Sequence, residues 1–213
     1  MGLFVSMEGP DGSGKTLQMD LLEKKKKKEG YDVLRSREPG GTAIGEEIRK
    51  ILLGSDFTEM DPLTEALLFA SSRRQHVVEK IRPALQEGKI VLLDRYVDSS
   101  LVYQGIGRGL GMDFVQKIND IAIEGLQPDV TWMVYVDYEE GLRRKMAQSG
   151  HTMDRMEEQS DEFHRQINLG YYSLVERDPE RVILIDGART PEEVHQDIWN
   201  RMQAYLEKIP KKN

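Results

Sequence analysis

The sequence predicts an α/β fold, with a five-stranded parallel sheet covered by helices on both faces. Two observations carry this: short apolar runs recur five times, and the stretches between them have the periodicity of amphipathic helices. The runs are Leu3 to Met7, Tyr31 to Leu34, Ile90 to Leu93, Val130 to Val136 and Val182 to Ile185. Each reads as a buried strand. Leu63, Leu67, Ala70, Val77, Ile81 and Ala84 fall on one helical stripe, and Met156, Phe163, Ile167, Gly170, Tyr171 and Leu174 on another. Both stripes are expected to face the core. The one low-complexity run, Lys24 to Lys28, closes the first helix, where a solvated basic end complements the macrodipole.

Composition narrows the function. The 213 residues carry 30 Lys+Arg against 37 Asp+Glu, a net charge of −7, which argues against nucleic acid or an anionic membrane as partner. Cysteine is absent, so disulfides, thiolate metal sites and cysteine nucleophiles are excluded. No apolar stretch approaches the roughly 18 residues of a membrane span, and no basic segment followed by an apolar block opens the chain. A cytoplasmic protein forming a single domain over residues 1–213 is expected.

The most specific local signal is Gly9-Pro10-Asp11-Gly12-Ser13-Gly14-Lys15-Thr16, which fits G-x-x-x-x-G-K-[ST] between a strand and a helix. Glycines let the backbone curl so that several N–H groups converge on phosphate oxygens, and the following helix aims its positive end at them. Lys15 is expected to bridge the β- and γ-phosphates, and the Thr16 hydroxyl to ligate Mg²⁺. The motif implies a nucleoside triphosphate site and leaves kinases, ATPases and switch GTPases open.

Three further clusters follow strands, where an open parallel sheet places ligands. Arg37 to Thr42 follows the second strand and Asp94-Arg95-Tyr96 the third. Asp94 is placed to hold Mg²⁺ or its waters, and Arg37 and Arg95 to grip a phosphate; taken singly, each arginine fits a surface ion pair as well. On the helix beginning near Asp61, Phe69 and Arg73 are four residues apart and share a face, which suits a flat heterocycle. A part-buried Phe beside a snorkelling Arg is the plain alternative. His76 is expected to be a structural donor.

Acidity sets what each kind of acceptor needs: a neutral hydroxyl demands a base, a phosphate does not. A nucleoside monophosphate has its second pKa near ~6, so its oxygen is already deprotonated at neutral pH and needs no base. Such an acceptor needs cations to offset repulsion between two anions. Lys15, Arg37, Arg49 and Arg95 are available, with Arg143, Arg144, Lys145 and Arg155 farther on.

These motifs together resemble bacterial thymidylate kinases over essentially the whole chain. The matching segments are Glu8 to Thr16, Arg37 to Thr42, Phe69 to His76 and, longest, Asp94 to Gly105. The resemblance implies the three-layer P-loop NTPase sandwich and ATP-dependent, Mg²⁺-dependent phosphorylation of dTMP to dTDP. By position, Phe69 would stack on thymine and Arg73 would bond a base carbonyl. Ser99, Ser100 and Gln104 would join the recognition of dTMP, and Tyr103 would sit against the deoxyribose. Arg37, Arg49 and Arg95 would hold the monophosphate, with Asp11 near the sugar hydroxyl or the metal. A lid is expected at about 143–155, supplying the missing catalytic charge from among Arg143, Arg144, Lys145 and Arg155, with Arg143 and Arg155 put forward alongside Lys15 and Arg95. Family precedent also implies a homodimer through helix faces near Ile44 to Leu53 and Pro62 to Ile81. Leu17 and Val102 depart from the common family residues without an expected loss of activity. A deoxynucleoside kinase acting on a free 5′-hydroxyl and a partner-driven nucleotide switch or ATPase are the competing readings.

Overall fold

The computed structural model describes residues 2–147, 153–207 and 209. Its elements are β1 (Leu3–Glu8), α1 (Lys15–Lys28), β2 (Val33–Arg37), α2 (Ala43–Leu53) and α3 (Pro62–His76). A π-helical stretch (Val77–Ile81) continues into α4 (Arg82–Gln86), followed by β3 (Ile90–Asp94) and α5 (Val97–Ser100). A second π-helical stretch (Leu101–Gly107) precedes α6 (Met112–Ile123), β4 (Val130–Tyr135), α7 (Tyr138–Met146), α8 (Asp161–Arg177), β5 (Val182–Asp186) and α9 (Pro191–Leu206). The five strands are parallel in the order β2-β3-β1-β4-β5. Helices α1 and α9 cover one face, packing Met19, Leu22, Ile198 and Met202 on Val5 and Trp132. The other face carries α4, α5, α6 and α8, with Ile81, Leu101, Val115 and Tyr171 against Phe4 and Met133. Two separate apolar cores therefore clamp the sheet in three layers.

Helix starts follow the local chemistry. Thr42, Asp61, Ser160 and Thr190 each cap a first turn through a side-chain oxygen, which satisfies backbone N–H groups that the helix leaves unpaired. Helix α1 differs: its N-cap is Gly14 at φ 94°, with no side-chain cap. No side chain satisfies its first N–H groups, the arrangement that suits an anion.

Three expectations are corrected. The second strand runs Val33–Arg37 rather than Tyr31 to Leu34, because β2 is an edge strand whose extent is set by pairing with β3 from Ile90 to Asp94. Tyr31 instead packs in the core under α1. On α3, Ala70 faces the core, as do Val77 and Ile81 beyond it, but Leu63 and Leu67 are exposed beside exposed Ile44 and Ile51 of α2. Nor is the basic end of α1 fully solvated: Lys26 is buried, its ammonium 3.5 Å from the Trp199 ring centroid and 3.2 Å from Glu29.

Candidate active site

The turn after β1 is held by close backbone approaches. A Cβ on Gly9, at φ +135°, would come within 2.0 Å of the Val134 carbonyl oxygen, and one on Gly12, at φ +76°, within 2.2 Å of the Gly141 oxygen. Only glycine fits either place. Lys15 is buried and donates to the carbonyls of Gly9 at 2.9 Å and Pro10 at 2.8 Å, so its ammonium lies inside the turn. Burial and the neighbouring Arg95 push it down to about 8. A cleft of about 810 Å³ opens on this turn, with Thr16 and Asp94 on its wall and Arg144 and Lys145 reaching in from α7.

A second cavity, about 220 Å³, lies beside it. Asp11, Arg37, Arg49, Phe69, Arg73, Arg95, Ser99, Ser100, Tyr103 and Gln104, the acceptor residues expected from sequence, all line it. Asp11, Asp94, Arg95 and Glu157 belong to both walls, so the two spaces meet end to end.

Arg95 occupies that junction. It adopts φ 66°, a left-handed conformation that is uncommon for a side chain of its size. Its guanidinium donates to Asp11 Oδ1 at 2.5 Å, to Ser99 Oγ and the Gly9 carbonyl at 3.2 Å, and to the Tyr171 hydroxyl. Desolvation would raise the Asp11 carboxyl, but Arg95 and Lys15 beside it pull it down to about 2. The other arginines also have carboxylate or carbonyl partners: Arg37 pairs with Glu46 at 3.0 Å, and Arg49 donates to the Pro39 carbonyl at 2.9 Å. Burial and the adjacent Arg37 lower the Arg49 guanidinium below its ordinary range. Protein partners thus hold all three guanidinium groups in place on the cavity wall.

Arg73 is 2% exposed and largely saturated, donating to Glu38 at 2.7 Å, Ser100 at 3.1 Å, the Tyr96 carbonyl at 2.9 Å and Asn119. Of its five N–H groups one remains for a ligand. His76 bridges Ser36 at 2.8 Å and Glu38 at 3.1 Å, completing the support behind Arg73.

The lid cations differ from expectation. Arg143 stands on the outer face of α7, paired with Glu140 at 2.7 Å, and lines neither cavity. Arg155 is buried, bonded to the Leu52 carbonyl and Glu65 at 2.8 Å each, and lines neither cavity. Arg143 sits on the exposed side of α7 with Glu140, and Arg155 is held in the interior by Glu65 and the Leu52 carbonyl. Lys145, 2.8 Å from Glu157, and Arg144, bonded to the Gly187 carbonyl, are the described α7 cations on the cleft. Residues 148–152 of the expected lid lie outside the described residues.

Glu8, Glu38, Glu65 and Tyr171 carry no functional expectation from the sequence. Glu8 ends β1, whose other residues apart from Ser6 are apolar, and that is the signal for it in the sequence. It is fully buried and accepts from the Tyr96 N–H and the Ser99 hydroxyl, both at 2.6 Å. Burial and nearby Asp98 push it up to about 7, against the pull of Arg95 and its hydrogen bonds. A carboxyl raised on folding favours the folded state below its unfolded value of 4.5 and loses that contribution as pH rises to about 7. Glu8→Gln, which can still accept from Tyr96 and donate to Ser99, is therefore expected to flatten the fall in melting temperature between those pH values. A thermal-denaturation series across that range checks this.

Comparison with known proteins shows the family. The thymidylate kinase family model matches residues 7–198. A thymidylate kinase of Caldanaerobacter subterraneus is 49% identical, covering 96% of this chain and 97% of that protein. One of Halothermothrix orenii is 46% identical, covering 96% and 98%. The crystal structure of thymidylate kinase from Ehrlichia chaffeensis superimposes with a TM-score of 0.75 at 33% identity, over 95% of this chain and 99% of that one. A P-loop enzyme fold, two cavities sharing one arginine, and relatives matched end to end converge on one conclusion: this chain belongs to the thymidylate kinase family.

Proposed function

We propose that the chain transfers the γ-phosphoryl group of ATP to the 5′-phosphate of dTMP, giving dTDP and ADP. The observation that carries this reading is the wall shared by the phosphate-turn cleft and the acceptor cavity, with Arg95 in it. A triphosphate on Lys15 and a monophosphate on Arg37 and Arg49 would point their reacting ends at Arg95. Attack by an already ionised phosphate oxygen needs no base, so positioning and charge stabilisation supply the catalysis. Lys145 and Arg144 take the part expected of lid cations, in place of Arg143 and Arg155.

Mg²⁺ fits the donor set. Thr16 and Asp94 present a hydroxyl and a carboxylate on one cleft wall, and no group of three or more ligating His, Cys, Asp or Glu occurs among the described residues. That sparse set suits an ion held chiefly by water and phosphate oxygens. When bound, Mg²⁺ would neutralise charge on the β- and γ-phosphates.

A panel of nucleosides and nucleoside monophosphates with ATP and Mg²⁺ tests the function. ADP formation is expected to require dTMP and to match dTDP; turnover of thymidine instead would favour a deoxynucleoside kinase, and acceptor-independent hydrolysis an ATPase. Phe69→Ala is expected to raise the KM for dTMP at least about tenfold through lost stacking while leaving the KM for ATP nearly unchanged. Steady-state kinetics with each substrate varied separates the two.

The exposed apolar face of α2 and α3, comprising Ile44, Ile51, Leu63 and Leu67, supports a homodimer. Light scattering is expected to read twice 24.4 kDa for the wild type and the single-chain mass for Leu67→Lys.

A further inference from the structure

Behind the acceptor cavity lies a buried carboxylate that the reaction itself does not use. Glu65 of α3 is 0% exposed and accepts from four donors. Arg108 Nε and Nη2 reach it at 3.2 and 3.1 Å, Arg155 Nη1 at 2.8 Å, and the side-chain amide of Gln104 at 2.9 Å. Two guanidinium groups keep the carboxylate ionised, and an ionised carboxylate only accepts. The Gln104 atom facing it must therefore be the amide nitrogen. Gln104 lines the acceptor cavity, so the polar atom it has left for a ligand there is its carbonyl oxygen.

Across the same cavity Arg73 can offer only N–H groups, and Glu38, Ser100, Asn119 and the Tyr96 carbonyl hold it in place. The wall therefore presents a donor and an acceptor, neither free to change role. Thymine and uracil carry the complementary pair, a carbonyl at position 4 and an N–H at position 3. Cytosine carries the inverse, an amino group at 4 and a bare nitrogen at 3, and would set donor against donor and acceptor against acceptor.

We propose that Glu65 is a positioning residue for base selectivity: by fixing the orientation of the Gln104 amide, it makes the cavity accept a 4-keto, N3–H pyrimidine and reject cytosine. This rests on the proposed function only in placing the base in this cavity. Arg155, expected from sequence to act on phosphates, acts here through Glu65. The carboxylate also connects the base wall to the chain segment directly after residue 152.

The test is calorimetric binding of dTMP and dCMP to the wild type, Glu65→Gln and the swapped pair Glu65→Gln/Gln104→Glu. Binding does not require phosphoryl transfer, so failure to form dTDP and failure of this inference are read separately. The wild type is expected to prefer dTMP by at least about 100-fold. In Glu65→Gln the amide can turn over, and that preference is expected to shrink at least about tenfold, chiefly through weaker dTMP binding. The swapped pair again places an acceptor in the cavity and is expected to regain preference over Glu65→Gln. A merely structural Glu65 would weaken both nucleotides by the same factor; that result, or a wild type binding dCMP as tightly as dTMP, overturns the proposal. Should Glu65→Gln fail to fold, hydrogen exchange of the Gln104 side-chain amide in the wild type decides. Protected protons support the proposal, and exchange at the free-amide rate overturns it.

Discussion

Arg95→Ala is expected to lower kcat/KM for dTMP phosphorylation by at least about 10²-fold, equivalent to about 2.7 kcal/mol of lost transition-state stabilisation. The magnitude follows from its place. Arg95 is a described cation on both cavity walls, and its guanidinium is already oriented by Asp11, Ser99, the Gly9 carbonyl and the Tyr171 hydroxyl. A planar fork can reach oxygens of both nucleotides, which a compact ammonium cannot, so Arg95→Lys is expected to recover only part of the loss. The fold should survive, because alanine removes no core side chain and Asp11 retains access to solvent. Steady-state kinetics beside a thermal melt check both parts; a large loss of melting temperature would indicate a structural role.

Lys15→Ala is expected to have a comparable effect on kcat/KM, again at least about 10²-fold. Its ammonium sits within hydrogen-bond reach of two carbonyls of the phosphate turn and is held below its ordinary range by burial and Arg95. A bound triphosphate would add negative charge to that of nearby Asp11 and Asp94. The loss should therefore appear in kcat as well as in ATP affinity. An effect confined to the KM for ATP would mean that Lys15 binds the ground state and transition state equally. Without nucleotide, a lysine depressed to about 8 makes the folded state bind fewer protons than the unfolded one between that pH and 10.5. Its contribution to stability therefore rises across that range, and Lys15→Ala should remove the rise.

Much of this was legible in the sequence. The phosphate turn could be read because its requirements are local: glycines for close backbone approach, then a lysine and a hydroxyl at fixed spacing. The strand-end residues could be read because a parallel sheet gathers the carboxyl ends of its strands at one edge, which is where Arg37, Asp94 and Arg95 lie. Periodicity failed at Leu63 and Leu67, since it identifies residues sharing a face but not what covers that face. Similarly, spacing could list the lid cations but not their partners. Glu65 and Arg155 are ninety positions apart in the chain, and their pairing exists only once α3 packs beside the segment that ends the expected lid. Glu8 and Tyr171 were hidden for a related reason. A buried carboxyl or phenol in an apolar run reads as core until its hydrogen-bond partners are known.

Two anionic nucleotides are expected to meet end to end at Arg95. This meeting is tested most directly by titrating the protein with a bisubstrate ligand, adenosine and thymidine joined through their 5′ positions by a polyphosphate chain. Binding tighter than either ATP or dTMP alone, competitive with both and strongly weakened by Arg95→Ala, is the expected result. Competition with only one of the two nucleotides, or affinity unchanged by Arg95→Ala, would contradict the account.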